Sequence, residues 1–571
     1  MAQVPAALGL GPVERANALE RLVSEELDVL VIGGGVVGAG AVLDAVTRGL
    51  SVGLIEARDY ASGTSSRSTK LFHGGLRYLE QFQFHLVFEA LKERGLMLNK
   101  LCPHLVKPVP LIYPLEKRFD RPYVGMGIGV YDLMGGGRGV PHHLKHLSKK
   151  KTMESFPSGK GTAIRGAIRF YEGQVDDARH TMMLTRTAAQ FGAFCVNSTR
   201  AIGFLREGDH VVGVHAKDLE TGREFDIRAQ QVINAAGVWT DEIQAMVGGR
   251  GQFRVRASKG VHIVVPRNRI NSATGIIGRT DKSVLFIVPW GSHWIVGTTD
   301  TDWNLDLAHP AASQSDIDYL LEQANRLLAD PLTHDDVVGV YAGLRPLLAG
   351  ESDSTSTLSR EHAVSSPVRG LTVIAGGKYT TYRVMAKDAV DFAVHALERT
   401  VPESITENVP LAGADGYLAA WNSRRLIAAR TGLRVGRVEH LLGRYGSLVN
   451  ELFALIAERP ELGEALTGAP EYLKAEAYYA ASHEGARHLE DVLTRRTRIS
   501  IEVPDRGVAA SREVAELIAP VLGWDDGTVA NELEHYEQRV AAERESQHQA
   551  DDQTADAARL GAPDVRLGVS G

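Results

Sequence analysis

Residues 28–56, DVLVIGGGVVGAGAVLDAVTRGLSVGLIE, constrain this chain more than any other stretch. Asp28 to Ile32 is a short apolar run bounded by glycines and predicts a buried strand. Gly33, Gly34, Gly35 and Gly38 follow as a G-x-G-x-x-G turn, and Ala39 to Thr47 has the small-apolar pattern of a helix packed on a sheet. The first glycine of such a turn permits the bend, the second lets backbone approach a pyrophosphate, and the third lets helix and strand sit close. The helix start offers unpaired N–H groups and a positive dipole end. Ser51 to Ile55 predicts the second strand, closed by Glu56, where a carboxylate accepts from ribose hydroxyls and disfavours a 2′-phosphate. Together these features predict a dinucleotide site.

The glycines do not separate NAD from FAD; the next segment does. A nicotinamide dehydrogenase continues into another strand–helix unit. Here GTSSRSTKLFHGGLRYLE (Gly63 to Glu80) is instead a polar, glycine-punctuated loop carrying Thr64, Ser65, Ser66, Ser68, Thr69, Lys70, His73, Arg77 and Tyr78. This segment resembles the post-adenosine loop of the FAD-dependent glycerol-3-phosphate dehydrogenases, within the D-amino-acid-oxidase-like flavoproteins. The resemblance continues through residues 28–540. It implies an α/β fold: a Rossmann-like FAD-binding domain of the D-amino-acid-oxidase type, an antiparallel-sheet substrate domain and an all-α C-terminal cap domain. The expected boundaries are an arm over 1–27 and an oxidoreductase region over 28–400. Within that region the FAD parts, 28–100, 170–250 and 340–400, alternate with the substrate parts, 101–169 and 251–339. The cap domain is expected over 401–542 and a disordered tail over 543–571.

Composition agrees with several domains. At 571 residues the chain exceeds one compact core, and 44% hydrophobic with 23% charged residues is ordinary for a globular protein. A net charge of −7 gives no support for nucleic-acid binding. Cys102 and Cys195 form neither a CxxC pair nor a disulfide framework, which fits a reducing cytoplasm. No run reaches the roughly 20 apolar residues that span a bilayer, so membrane contact is expected to be peripheral. The basic run GRGVPHHLKHLSKKK (Gly137 to Lys151) reads as a solvated loop or, alternatively, with Phe119, Tyr123, Met126 and Met134 nearby, as a surface for anionic lipid headgroups. Its His142, His143 and His146 lack an accompanying carboxylate or cysteine, so no metal is expected.

Farther along, QQVINAAGVWTDEI (Gln230 to Ile243) predicts a strand, a small-residue turn and a helix, with Ala236 and Gly237 passing beneath the cofactor. LTVIAGGKYTTYRVMAKDAV (Leu371 to Val390) predicts a further strand, glycine turn and helix, bringing Gly377 and Thr380 to the ligand. RASKGVHIVVP and SVLFIVPWGSHWIVGTTD alternate like strands of a second sheet. From Thr400 the pattern is helical, and HEGARHLEDVLTRRT (His483 to Thr497) is similar to the family's cap domain.

The resemblance implies oxidation of sn-glycerol 3-phosphate to dihydroxyacetone phosphate, with electrons passing from non-covalently bound FAD to a membrane quinone. The protein would sit peripherally on the inner face of the plasma membrane, and a homodimer is compatible with it. Arg77, Tyr78 and Arg360 are the expected substrate-binding residues, and His262, Arg345 and Lys378 the catalytic ones. Arg345 lies in apolar AGLRPLL with no acidic neighbour in sequence, so an anionic ligand is its expected counter-charge. Which of His262, Lys378 and Arg345 is the base stays open. Val37, where several relatives carry a polar residue, leaves pyrophosphate contacts mainly to backbone; covalent attachment through His73 is not expected. The competing readings are an oxidase using O2, an amine or amino-acid oxidase, and a non-catalytic membrane-associated flavoprotein.

Overall fold

The computed structural model describes residues 9–75, 83–115, 120–135, 145–162, 164–248, 253–280, 284–349 and 361–566. Two sheets and a helical domain account for most of them. In the first, eight-stranded sheet, the strand Leu27–Ile32 is central, flanked in parallel by Glu224–Asn234 and Val52–Ile55. Phe194–Val196 extends one side, and Leu371–Gly376 with antiparallel His362–Val368 extends the other. Val29, Leu30 and Val31 are fully buried, and burial of each such side chain is worth about 1.5–3 kcal/mol.

Small residues decide how closely the helices approach this sheet. The helix Val36–Thr47 is buried from Val36 to Val46 except at Val37. A Cβ on Gly40 would lie 3.0 Å from the Tyr382 ring and 3.1 Å from Ala386, so this glycine lets the helix Tyr382–Val394 pack directly against its own. On the opposite face, the N-terminal helix Pro12–Ser24 is more than a surface arm. Leu22 is fully buried, and Arg15 pairs with Asp218 at 2.7 Å.

The second, ten-stranded sheet is antiparallel except where Gly275–Arg279 pairs in parallel with Val106–Leu115. Its strand Val255–Pro266 lies between His293–Gly297 and Gly339–Leu348. Gly339–Leu348 was expected with the FAD region but belongs to this sheet, because its whole length pairs with Val255–Pro266. The helix Phe84–Leu96 turns its Val87 and Leu91 inward and leaves Phe88 45% exposed.

The C-terminal domain is helical with one small hairpin, Ala465–Leu466 and Ala469–Leu473. The charges of its HEGARHLEDVLTRRT segment face inward as inter-domain pins. Arg179 and Glu484 form a fully buried pair at 2.6 Å, and Arg495 and Arg496 both hold Asp59. The expectation of disorder from residue 543 is corrected: Asp526–His548 is one helix, Asp552–Arg559 another, and Arg566 is buried. Polar composition misled there because the tail's charges are matched by charges on the domains it crosses.

Candidate functional site

A cavity of about 430 Å³ opens between the two sheets, within the range of small-molecule sites. One end is the glycine turn. Gly33 takes φ +111°, and a Cβ on it would lie 2.7 Å from the Ala235 carbonyl oxygen. A Cβ on Gly38 would overlap the Gly33 carbonyl oxygen. The start of the helix Val36–Thr47 is held from across the turn, since the Val36 N–H donates to Ser65 Oγ at 2.9 Å. Glu56 accepts from the Gly34 N–H at 2.6 Å and from the Arg58 N–H at 2.8 Å. A carboxylate offers about four lone-pair sites, so capacity remains on the cavity side. Burial pushes the Glu56 carboxyl up, opposed by those N–H groups.

The other strands bring polar groups to the same space. Gly33, Gly35, Val37, Glu56, Thr64 and Ser65 line the cavity. His73, Ala236, Gly237, Gly377 and Thr380 line it too, as do His262, Arg345 and Lys378. The turn before the helix Tyr382–Val394 uses φ +81° at Gly376 and +76° at Gly377. Thr380 bridges to His73, accepting from its N–H and donating to its carbonyl, both at 3.2 Å.

Arg345 and His262 are set on one wall by strand register. Arg345 lies opposite Ser258, Gly343 opposite Gly260, and Tyr341 opposite His262. A Cβ on Gly260 would overlap the Arg345 guanidinium, so that glycine makes the channel in which the side chain lies. Arg345 donates to Thr298 Oγ1 at 2.9 Å, the Thr299 carbonyl at 3.1 Å and Ser258 Oγ at 3.3 Å, and meets Asp300 at 3.4 Å. The expectation that it lacks an acidic partner is therefore corrected: Asp300 comes from the connection between the strands His293–Gly297 and Thr301–Trp303, out of reach of any local sequence window. His262 stacks on Tyr341 with centroids 4.8 Å apart, and its Nε2 lies 2.9 Å from Thr69 Oγ1. Burial, then the charges of Arg345 and Lys70, holds the imidazole well below its usual pKa, so it is neutral.

Four expected cofactor residues, Gly34, Gly38, Ser66 and Lys70, do not line the cavity. Lys70 is fully buried in an ion pair with Asp177 at 2.7 Å, an acid shared with Arg498. Ser66 is turned away, its carbonyl accepting from Lys70 at 3.1 Å and Arg498 at 3.3 Å. Gly34 and Gly38 lie beneath the turn, where the first gives its N–H to Glu56 and the second makes room for Gly33. Arg77, Tyr78 and Arg360 lie outside the described residues.

Sequence reasoning missed Arg58, Arg67, Trp239, Thr298 and Asp300, all on the cavity wall. Arg67 was the most legible of them, standing inside the GTSSRSTK loop. Burial, then the charge of Arg495, brings its pKa down to about 10. Among the described residues the lining holds five cations, Arg58, Arg67, Arg200, Arg345 and Lys378, against three acids, Glu56, Glu242 and Asp300. On a chain of net charge −7, that excess marks the cavity for anionic ligands. A glycine cradle at a helix start, a free face on Glu56 and a cationic wall fit an adenine dinucleotide with its pyrophosphate.

Comparison with known proteins agrees with this geometry. A family model described as FAD dependent oxidoreductase matches residues 28–383, and one described as the C-terminal domain of alpha-glycerophosphate oxidase matches residues 404–529. Glycerol-3-phosphate dehydrogenase 2 of Mycobacterium tuberculosis is 59% identical over 564 residues, 99% of this chain and 96% of that protein. The human mitochondrial glycerol-3-phosphate dehydrogenase is 36% identical over 92% of this chain and 74% of its own length. The crystal structure of the Bacillus halodurans glycerol-3-phosphate dehydrogenase complexed with FAD superposes with a TM-score of 0.78 at 29% identity, covering 93% of this chain and 98% of that one.

Proposed function

Because this chain belongs to the FAD-dependent glycerol-3-phosphate dehydrogenases of the FAD dependent oxidoreductase family, and FAD is its cofactor, we propose that it oxidises sn-glycerol 3-phosphate to dihydroxyacetone phosphate and passes the electrons to a membrane quinone. The observation that carries this reading is the wall on which Arg345 and the neutral His262 stand together, beside the glycine cradle. FAD, when bound, supplies the hydride acceptor for the substrate's secondary carbinol carbon.

The chain's own residues do the rest. Arg345, held in place by Thr298, Ser258 and Asp300, presents a fixed fork to the phosphate dianion. Arg77, Tyr78 and Arg360 complete the substrate contacts in this reading. His262 is the proton acceptor: it is uncharged, its Nδ1 is buried, and its Nε2, which meets Thr69 Oγ1 at 2.9 Å, takes the proton when the substrate hydroxyl displaces that bond. As the carbinol carbon gives up its hydride, the hydroxyl proton moves to the imidazole, leaving a ketone. Lys378 places a positive charge at the turn before the helix Tyr382–Val394, where it stabilises negative charge developing on oxygen.

Transfer to a quinone calls for contact with a membrane surface. No helix among the described residues is long and apolar enough to cross a membrane. Two packed helices do expose apolar side chains, Phe84 and Phe88 on one and Met126 and Val130 on the other, which supports a peripheral contact.

An anaerobic absorbance titration tests the proposal. Glycerol 3-phosphate should bleach the oxidised flavin band, and a soluble quinone should restore it faster than air-saturated buffer does. No bleaching would refute the substrate assignment, and faster recovery in air would refute the acceptor.

A further inference from the structure

The last described residues, expected to be unstructured, cross all three parts of the molecule and end behind the cofactor cavity. Asp551 caps the helix Asp552–Arg559, accepting from the Thr554 N–H at 2.9 Å. Asp552 reaches Lys259, a fully buried lysine that also pairs with Asp316 at 2.6 Å. Three residues on, Ala555 is fully buried in an apolar cluster with Val238, Trp303 and Leu344, and Trp239 packs against that cluster. Val238, Trp239 and Leu344 are themselves cavity wall. Arg559 meets His309 at 3.3 Å.

The segment then returns to the nucleotide sheet. Asp564 accepts from Arg58 Nε at 3.2 Å, with the pair only 13% and 7% exposed. Arg58 lines the cavity, gives its backbone N–H to Glu56, and has its guanidinium 5.5 Å from the Trp239 ring. Beyond it, Arg566 grips both oxygens of Asp491 at 2.9 Å and donates to Ser198 Oγ at 3.0 Å. The segment is thus fixed to the substrate sheet at Asp552, to the nucleotide domain at Asp564 and to the helical domain at Arg566. Between these pins it touches the backs of the side chains that form the Glu56 end of the cavity.

We propose that residues 552–566 are a clasp that retains FAD, with Asp564 as the positioning residue that holds Arg58 and Trp239 in the wall of the Glu56 end. The inference rests on the cavity being the FAD site. A dinucleotide leaves such a cavity by its ribose end only if the wall there yields. The wall yields less while Arg58 is tied from behind, so the pin acts on the dissociation rate rather than on any reacting atom.

The test uses the full-length holoprotein and three chains: wild type, Asp564→Asn, and Asp564→Glu, which restores the charge. Each is diluted into flavin-free buffer, and the rise of free-flavin fluorescence gives the release rate. The melting temperature of each apoprotein is measured alongside. Asp564→Asn should release flavin about tenfold faster, the factor carried by one charged hydrogen bond. Asp564→Glu should return most of that change; the Asp564→Asn apoprotein also melts lower, because Arg58 loses its buried partner, so release is measured well below that melting temperature. Release from Asp564→Asn within twofold of wild type would overturn the clasp. So would a lowered apoprotein melting temperature with unchanged release, which marks a purely structural tail. Wild-type protein that neither purifies with flavin nor takes it up would instead overturn the FAD reading.

Discussion

Glu56→Gln is the sharpest test of how the dinucleotide cradle is held. In the wild-type chain one carboxylate accepts two backbone N–H groups, from Gly34 at 2.6 Å and Arg58 at 2.8 Å. An amide has a single oxygen, so one of those N–H groups would face an NH₂ group. The lost bond is charge-assisted, worth roughly 1.5–3 kcal/mol, and an unmet buried donor costs about 1–3 kcal/mol. The two descriptions overlap, so the net penalty is about 2–3 kcal/mol. The turn can escape it only by rotating the Gly34 or Arg58 peptide toward water, which moves the N–H groups that would meet the pyrophosphate. FAD affinity should therefore fall roughly 30- to 150-fold. Titrating FAD into deflavinated apoprotein and following flavin fluorescence gives the dissociation constant directly. A Glu56→Gln dissociation constant within threefold of wild type would refute the reasoning, and would place the hold on the turn elsewhere, at the Ser65–Val36 bond.

Three further outcomes are expected. Gly38→Ala drives a Cβ into the Gly33 carbonyl oxygen, an overpacking that costs about 1–3 kcal/mol or more, so the purified variant should carry substoichiometric flavin by absorbance. Lys70→Met removes one member of the buried pair with Asp177; it should cost about 3 kcal/mol and lower the melting temperature while leaving the KM for glycerol 3-phosphate unchanged. His488, buried between Glu220 and Glu532, is raised from 6.5 to about 9. Its contribution of about 3 kcal/mol is fully present below pH 6.5 and lost as pH rises through 9. The wild-type melting temperature should therefore drop between pH 7 and 9.5, and His488→Gln should flatten that drop.

Where chemistry is local in sequence, it was legible. The strand–turn–helix of residues 28–56 folds as its spacing dictates, because Gly34 and Gly38 answer contacts within the same unit, with Glu56 and with the Gly33 carbonyl. The loop from Gly63 places Thr64, Ser65 and His73 on the cavity for the same reason. What was hidden is pairing across distance. Lys70 has its partner 107 residues away and Arg345 has its acid 45 residues away. A charged residue's sequence neighbours therefore gave no measure of whether it was satisfied. The tail failed in the same manner: its composition is that of a solvated chain, yet Asp552, Asp564 and Arg566 each meet an opposite charge on another part of the molecule.

The corrected environment of Arg345 alters what its charge does. An arginine with no counter-charge would bind almost any anion that fits, because any anion relieves it. Arg345 already meets Asp300, Thr298, Thr299 and Ser258, so a ligand gains only what exceeds those bonds. A carboxylate carries one charge, close to what Asp300 supplies; a phosphate dianion carries two and three acceptor oxygens. The pairing lowers affinity for both, but leaves a surplus chiefly for the dianion, which is specificity obtained by difference. Asp300→Asn should therefore weaken discrimination. With inhibition of substrate turnover as the readout, the ratio of inhibition constants for a small carboxylate and inorganic phosphate should move toward one by about tenfold, the scale of one charged hydrogen bond. An unchanged ratio would show that Asp300 only positions the guanidinium.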